Sequence, residues 1–276
     1  MRIALFLRVS VLVAALILAP GTTAASAQAP ALSVGPVARL VSPTLAVADS
    51  LFFAMEPDSA LLRLEVRLEV APDDFEARWQ AARAALVLGT IREGGDESKG
   101  QMLRRATYHA EYALALRPDD PEALSWAAAT KGRLAIDDSG VRAQAQLAHE
   151  VWELSNRLLA IDPNHPLGND VIGKLHQEIT KLSGFERFLA RTILGGGAAL
   201  KEASWERSEE HLLRAIEADP TVVLFYLDLG ETYLAQGKVE LAIPVLEAGL
   251  ALPDMYPPDP KFKRTLRRRL REARSR

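Results

Sequence analysis

The sequence predicts an all-α fold: a right-handed α-solenoid of about five stacked helix pairs, with one helix inserted into the fourth pair and a basic capping helix at the C-terminus. Three observations carry this. Residues 222–253 read as two helices around a turn: Tyr226, Leu229, Gly230 and Tyr233 recur at helical spacing in the first half, and Ala242, Leu246 and Gly249 in the second. Gln236-Gly237-Lys238 breaks them, since glycine accepts the positive φ that ends a helix. Prolines then recur at the ends of similar units, at Pro72, Pro118, Pro163, Pro220 and Pro253, with spacings of 46, 45, 57 and 33 residues. No segment sustains the apolar–polar alternation of a strand, and Ala, Leu, Arg and Glu abound, a mix that favours helix.

Taken in order, residues 1–27 have the pattern of a secretory signal: Arg2 and Arg8, then the short apolar run 9–19, then Ala25-Ser26-Ala27 before Gln28. Cleavage between Ala27 and Gln28 is expected. Residues 28–40, rich in Ala, Pro, Gly and Ser, read as a flexible lead-in. A helical-repeat domain follows over 41–256. Its first unit has helices near 43–55 and 57–70, split at Glu56-Pro57. The second has a helix from Phe75 to Leu88, a polar stretch 89–96, and a return helix with Ala106, Ala110 and Ala113 at close-packing positions. In the third, Asp120-Pro121-Glu122 starts a helix to about Ile136, because Asp caps and proline at the first position loses no hydrogen bond. Residues 141–161 return. The fourth has a helix near 166–182, an inserted amphipathic helix from Leu182, a stop at Gly195-Gly196-Gly197, and a return over 204–218. After the fifth unit, Pro257, Pro258 and Pro260 read as a stiff spacer and 261–274 as a basic helix.

The order aromatic, Leu-Gly, Tyr, then small, large, small, Pro in 222–253 resembles the tetratricopeptide repeat, whose units bury their apolar faces only by stacking. A closer resemblance rests on His165-Pro166-Leu167-Gly168, Ile172-Gly173 and Leu182-Ser183-Gly184-Phe185-Glu186-Arg187, with Ala218-Asp219-Pro220, Leu229-Gly230-x-x-Tyr233 and Leu252-Pro253-Asp254 downstream. These are similar to the regulator of microtubule dynamics family, over about residues 100–260. The resemblance implies an all-helical, tetratricopeptide-like protein-interaction domain, and in animal members an association with microtubules and organelle contacts. It supplies no catalytic residues. This chain differs in carrying an export signal, so the fold carries over while the partner does not.

Composition narrows the chemistry. There is no cysteine, which excludes disulfides, thiolate metal sites, a cysteine nucleophile and a lipid-modified N-terminal cysteine. The signal pattern makes the expected location periplasmic or extracellular, and the missing cysteine makes it not a lipoprotein. Charge is unevenly spread: residues 261–276 carry a net +8, leaving about −13 on residues 28–260. The basic helix has two roles open to it. One is a solenoid cap docked through Phe262, Leu266 and Leu270. The other is a contact with a membrane surface or acidic partner.

The five histidines, His109, His149, His165, His176 and His211, form no zinc-ligand pair. The triple glycine lacks the Lys-Ser/Thr of a phosphate loop. No nucleophile elbow occurs, and the paired carboxylates fall at caps and exposed faces. The expectation is a non-enzyme without cofactor, metal or nucleic-acid partner. In a stacked-pair solenoid the first helix of each pair lines the groove, which points Trp79, Arg83, Glu122, Ser125, Asp170, Lys174, Gln177 and Glu231 towards it. Mixed charges with one large aromatic suit a protein or peptide segment. The expected function is an interaction scaffold or adaptor. The alternative is an exported small-ligand carrier working with a transporter, with an apolar cavity lined by Phe185, Phe188, Trp205 and Tyr226.

Overall fold

A computed structural model describes residues 43–92, 97–137, 141–184, 186–187 and 198–275. The described residues include twelve helices: α1 (Pro43–Phe53), α2 (Pro57–Val70), α3 (Phe75–Ile91), α4 (Glu97–Leu116), α5 (Pro121–Asp137), α6 (Val141–Ile161), α7 (Pro166–Lys181), α8 (Ala198–Glu202), α9 (Trp205–Ala218), α10 (Val223–Ala235), α11 (Val239–Ala251) and α12 (Asp259–Arg274). The signal, its cleavage position Ala27-Gln28, the lead-in, Phe185, Phe188 and the triple glycine lie outside the described residues.

The fold is an α-solenoid. Five pairs pack within themselves: α1 with α2, α3 with α4, α5 with α6, α7 with α9, and α10 with α11. Each pair then stacks on the next through its second helix. The first helices meet at one step's remove, α3 on α5, α5 on α7 and α7 on α10. The last helix, α12, rests on both α11 and α10, the place the first helix of a sixth pair would take.

The local reasons for these elements are visible in their ends. Asp74 caps α3 by accepting from the Ala77 amide, and Asp120 accepts from Glu122 with Pro121 opening α5. At α7 the cap is a histidine: the amide of Gly168 donates to His165 Nδ1 at 3.1 Å. The Leu182-Ser183-x-x-Glu186-Arg187 run is a capping box. The Ser183 amide donates to Glu186 Oε2, the Glu186 amide donates to Ser183 Oγ, and the Arg187 guanidinium reaches back to the Ile179 and Thr180 carbonyls at the end of α7. Gly237, at φ +76°, ends α10.

Pairing within a unit uses one repeated device, a glycine on the first helix receiving a leucine from the second. A Cβ on Gly89 would lie 2.6 Å from Leu103, one on Gly173 2.9 Å from Leu212, and one on Gly230 2.3 Å from Leu246. Only hydrogen leaves room for approach this close.

Two elements differ from the sequence reading. Helix α3 continues to Ile91, because its last turn is buried as well. Helix α12 starts at Asp259, and the proline run is a packed corner rather than a spacer: Tyr256, Pro258 and Asp259 are buried, and Asp259 Oδ2 accepts from the Met255 and Tyr256 amides at 2.9 Å. Phe262, Leu266 and Leu270 are buried beneath α12. Each such side chain contributes about 1.5–3 kcal/mol.

Gly230→Ala forces Leu246 off its seat and is expected to lower unfolding stability by about 1–3 kcal/mol in urea titration. Leu213→Ala, on the exposed side of α9, is expected to stay within about 0.5 kcal/mol of the parent.

Candidate functional site on the inner face

The first helices α3, α5, α7 and α10 supply all eight groove residues named from the sequence. The structure divides them into two places. Trp79 and Glu122 are half-buried, near the N-terminal ends of α3 and α5. Arg83, Ser125, Asp170, Lys174, Gln177 and Glu231 are buried, so they form a packed seam and not a solvated wall.

The half-buried place is built on Trp79, which stands on the buried Trp126. Trp79 and Trp126 stack with centroids 6.5 Å apart and planes 8° from parallel. Each indole N–H donates to a carboxylate on its own helix, Trp79 to Glu76 at 2.8 Å and Trp126 to Glu122 at 3.0 Å. Burial pushes the Glu122 carboxyl up, against the hydrogen bond from Trp126 and the charge of Arg83. Ser125 donates to the Glu122 carbonyl within its own helix. Arg83 lies behind the pair. Its Nη2 donates to Asp49 at 2.7 Å and its guanidinium covers the Phe52 ring at 4.2 Å. Burial pulls its pKa down, and Asp49 opposes this.

The buried place centres on Lys174. Its Nζ lies 2.7 Å from Asp228, 3.1 Å from Glu231 and 3.9 Å from Glu178. Burial disfavours its charge, but the three carboxylates outweigh burial and raise its pKa. Glu231 also receives Arg269 of α12 at 2.8 Å, and Glu178 receives Lys181 at 2.9 Å. Burial works against the Glu231 carboxylate too, yet Lys174 and Arg269 hold it down at about 2. Asp228 is pushed up by burial to about 7 in spite of Lys174. Asp170, one turn before Lys174, is fully buried, and neither of its oxygens has a hydrogen-bond partner among the described residues. Burial and the neighbouring Asp228 push its carboxyl well up, against the charge of Lys174. Gln177 is equally buried on the same face, and its amide has no hydrogen-bond partner among the described residues.

Sequence reasoning missed Glu178, Asp228, Arg269 and Trp126. The first two had a faint signal in the helical spacing of Asp170, Lys174 and Glu178, and in Asp228 standing three residues before Glu231. Arg269 had none, because its partner is 38 residues away.

Of the carrier alternative's lining, Trp205 and Tyr226 are half-buried, and the Tyr226 hydroxyl donates to the Pro220 carbonyl. No helix among the described residues is long and apolar enough to cross a membrane.

Lys174→Met leaves Asp228 buried without its cation, and Glu231 and Glu178 with only Arg269 and Lys181. It is expected to cost about 3–5 kcal/mol in urea unfolding, with part recovered in the Lys174→Met/Asp228→Asn double variant. A second expectation concerns pH. Burial lowers His165 to about 4, His176 to about 3 and His211 to about 4. Above about 6.5 these rings are neutral in both states; below it the unfolded chain takes up protons that the fold refuses, so the histidines' contribution to stability falls with pH down to about 3, while Asp228, raised to about 7, acts in the opposite sense. His165→Asn keeps a capping acceptor, and the stability difference between pH 7 and pH 4.5 is expected to shrink.

Among solved structures, the chain is similar to a thermophilic TPR protein in Thermus thermophilus, with a TM-score of 0.55 and 18% identity over 82% of this chain and 97% of that one. It is also similar to MamA from Desulfovibrio magneticus RS-1, with a TM-score of 0.45 and 15% identity over 77% and 96% of the two chains. YrrB, a TPR protein with an unusual peptide-binding site, gives a TM-score of 0.40 and 14% identity over 82% and 91%. No curated protein matches the sequence. The profile of Regulator of microtubule dynamics protein 1-3 matches residues 44–274, from α1 through α12. With the pairing glycines, the capping box and the C-terminal helix all inside that span, the chain belongs to the regulator of microtubule dynamics family.

Proposed function

We propose that this chain is a non-catalytic protein-interaction scaffold that holds a segment of a partner protein on its inner face, at the mouth marked by Trp79 and Glu122. The observation that carries the reading is the Trp79–Trp126 stack, with each indole N–H held by a glutamate. Trp126 is buried, so Trp79 is the ring within a partner's reach, held from behind by the stack; a large aromatic fixed in this way serves as an anchor at low entropic cost, and the carboxylates beside it favour a basic or hydrogen-bond-donating group on the partner. The tetratricopeptide-like fold and the family support a protein or peptide partner over a small molecule. The buried seam below, from Arg83 to Glu231, sets the distance between successive first helices and so shapes the mouth.

The outer side of α12 extends the surface. Arg267 and Arg271 are exposed and have no partner among the described residues, and Arg264 and Arg268 flank them. This strip suits acidic groups of the same partner. The N-terminal pattern Arg2, Arg8, 9–19 and Ala25-Ser26-Ala27 supports export, and with it a partner in the periplasm or outside the cell.

The test is a photo-crosslinking amino acid at position 79 of the full chain, expressed in its own cells. A discrete adduct is expected that is absent when the same group stands at Leu213, exposed on α9. Identical labelling from both positions would contradict a site at Trp79.

A further inference from the structure

The second helix of the first pair has an uncovered apolar ridge. On α2, Ala60, Leu61, Leu64 and Leu68 face the core, while Leu62, Val66 and Val70 stand on the opposite side, exposed at 64%, 54% and 79%. They are spaced by four, so they form one ridge along two turns. Terminal repeats of a solenoid require a polar outer face, and this one lacks it. The ridge also has an unsatisfied border. Asp58, Glu65 and Arg67 pair within the fold, with Arg92, Arg105 and Asp74. Arg63 and Glu69 have no partner among the described residues.

We infer that the ridge is the seat of residues 32–41, the stretch that leads into α1. Helices α1 and α2 pack together across the short turn Ala54–Glu56, so they run antiparallel. Pro43 therefore lies level with the stretch between Val66 and Val70. The chain arriving there carries Leu32, Val34, Val37, Leu40 and Val41 within ten residues, with Arg39 as its one charge. Arg39 is complementary to the unpaired Glu69 beside Val70. Ten residues reach up to ~33 Å, and the ridge spans about 12 Å, so tether length sets no limit. Three aliphatic side chains on one helix are far less than a stable dimer buries. A tethered segment needs much less, because its effective concentration is in the millimolar range. The lead-in then acts as the N-terminal cap of the solenoid, the counterpart of α12 at the other end.

The absence of cysteine makes the test clean. In the full chain, Val34, Val37 and Leu40 are replaced by cysteine one at a time, each with Val66→Cys or Val70→Cys, and oxidised mildly. All these α2 positions are exposed, so the fold is retained. At least one pair is expected to give a disulfide within a single chain, identified by mass as a linked peptide. Its yield should exceed several-fold that with Leu213→Cys as the second position. If no pair exceeds that control, or if Val66→Cys alone links two copies while no pair links within one, the inference fails.

Discussion

One buried ammonium holds the C-terminal half together. Lys174 stands on α7 and reaches Asp228 and Glu231 on α10, and Glu231 in turn holds Arg269 on α12. Three helices that sequence separates by 57 and 38 residues are thereby fixed in register. A charge this deep is costly unless fully compensated. The compensation here works in both directions: the carboxylates keep Lys174 charged, and Lys174 with Arg269 keeps Glu231 ionised. Burial works against the remaining acids, pushing Asp170 up and raising Asp228 to about 7. The seam is therefore a set of linked protonation states and not a simple ion pair.

Much of the fold was legible because solenoid pairing is local. Gly230 and Leu246 are 16 residues apart, and the small–large match that joins their helices is written in one unit. The same holds for Gly173 and Leu212, even with a longer stretch of chain between them. The cap at Asp120 was read from the sequence for the same reason; those at Asp74 and Ser204 are equally local but were not. The inner face was legible only as a set of residues. Asp170, Lys174, Gln177 and Glu231 come from the right helices, but a polar residue on a groove-facing position reads as solvated. Their burial depends on contacts beyond any one unit, such as Lys174 with Glu231 and Glu231 with Arg269; at the end of α3, Lys261 likewise donates to the Thr90 carbonyl at 2.6 Å across 171 residues.

That contact also changes the meaning of the basic C-terminus. Its cations are apportioned. Lys261 serves the end of α3, Lys263 serves Asp254 and the Leu252 carbonyl, Arg269 serves Glu231, and Arg274 serves Glu247. The outward Arg267 and Arg271 remain for other work. The helix is thus part of the solenoid, as the family match through residue 274 requires. The polar mouth at Trp79 and Glu122 lies towards the other end, on α3 and α5. Stability and recognition are in this way assigned to different stretches of the same inner face.

The account stands on Glu231 as the joint between Lys174 and α12. The most direct measurement is amide hydrogen exchange, residue by residue, in Glu231→Gln against the parent at neutral pH. The account predicts that protection falls first and most in α12, the adjoining ends of α7 and α10 and the last turn of α3 that Lys261 holds, while α2 and α4 to α6 exchange as before. Unchanged protection in α12, or a loss spread evenly over all the helices, would contradict it.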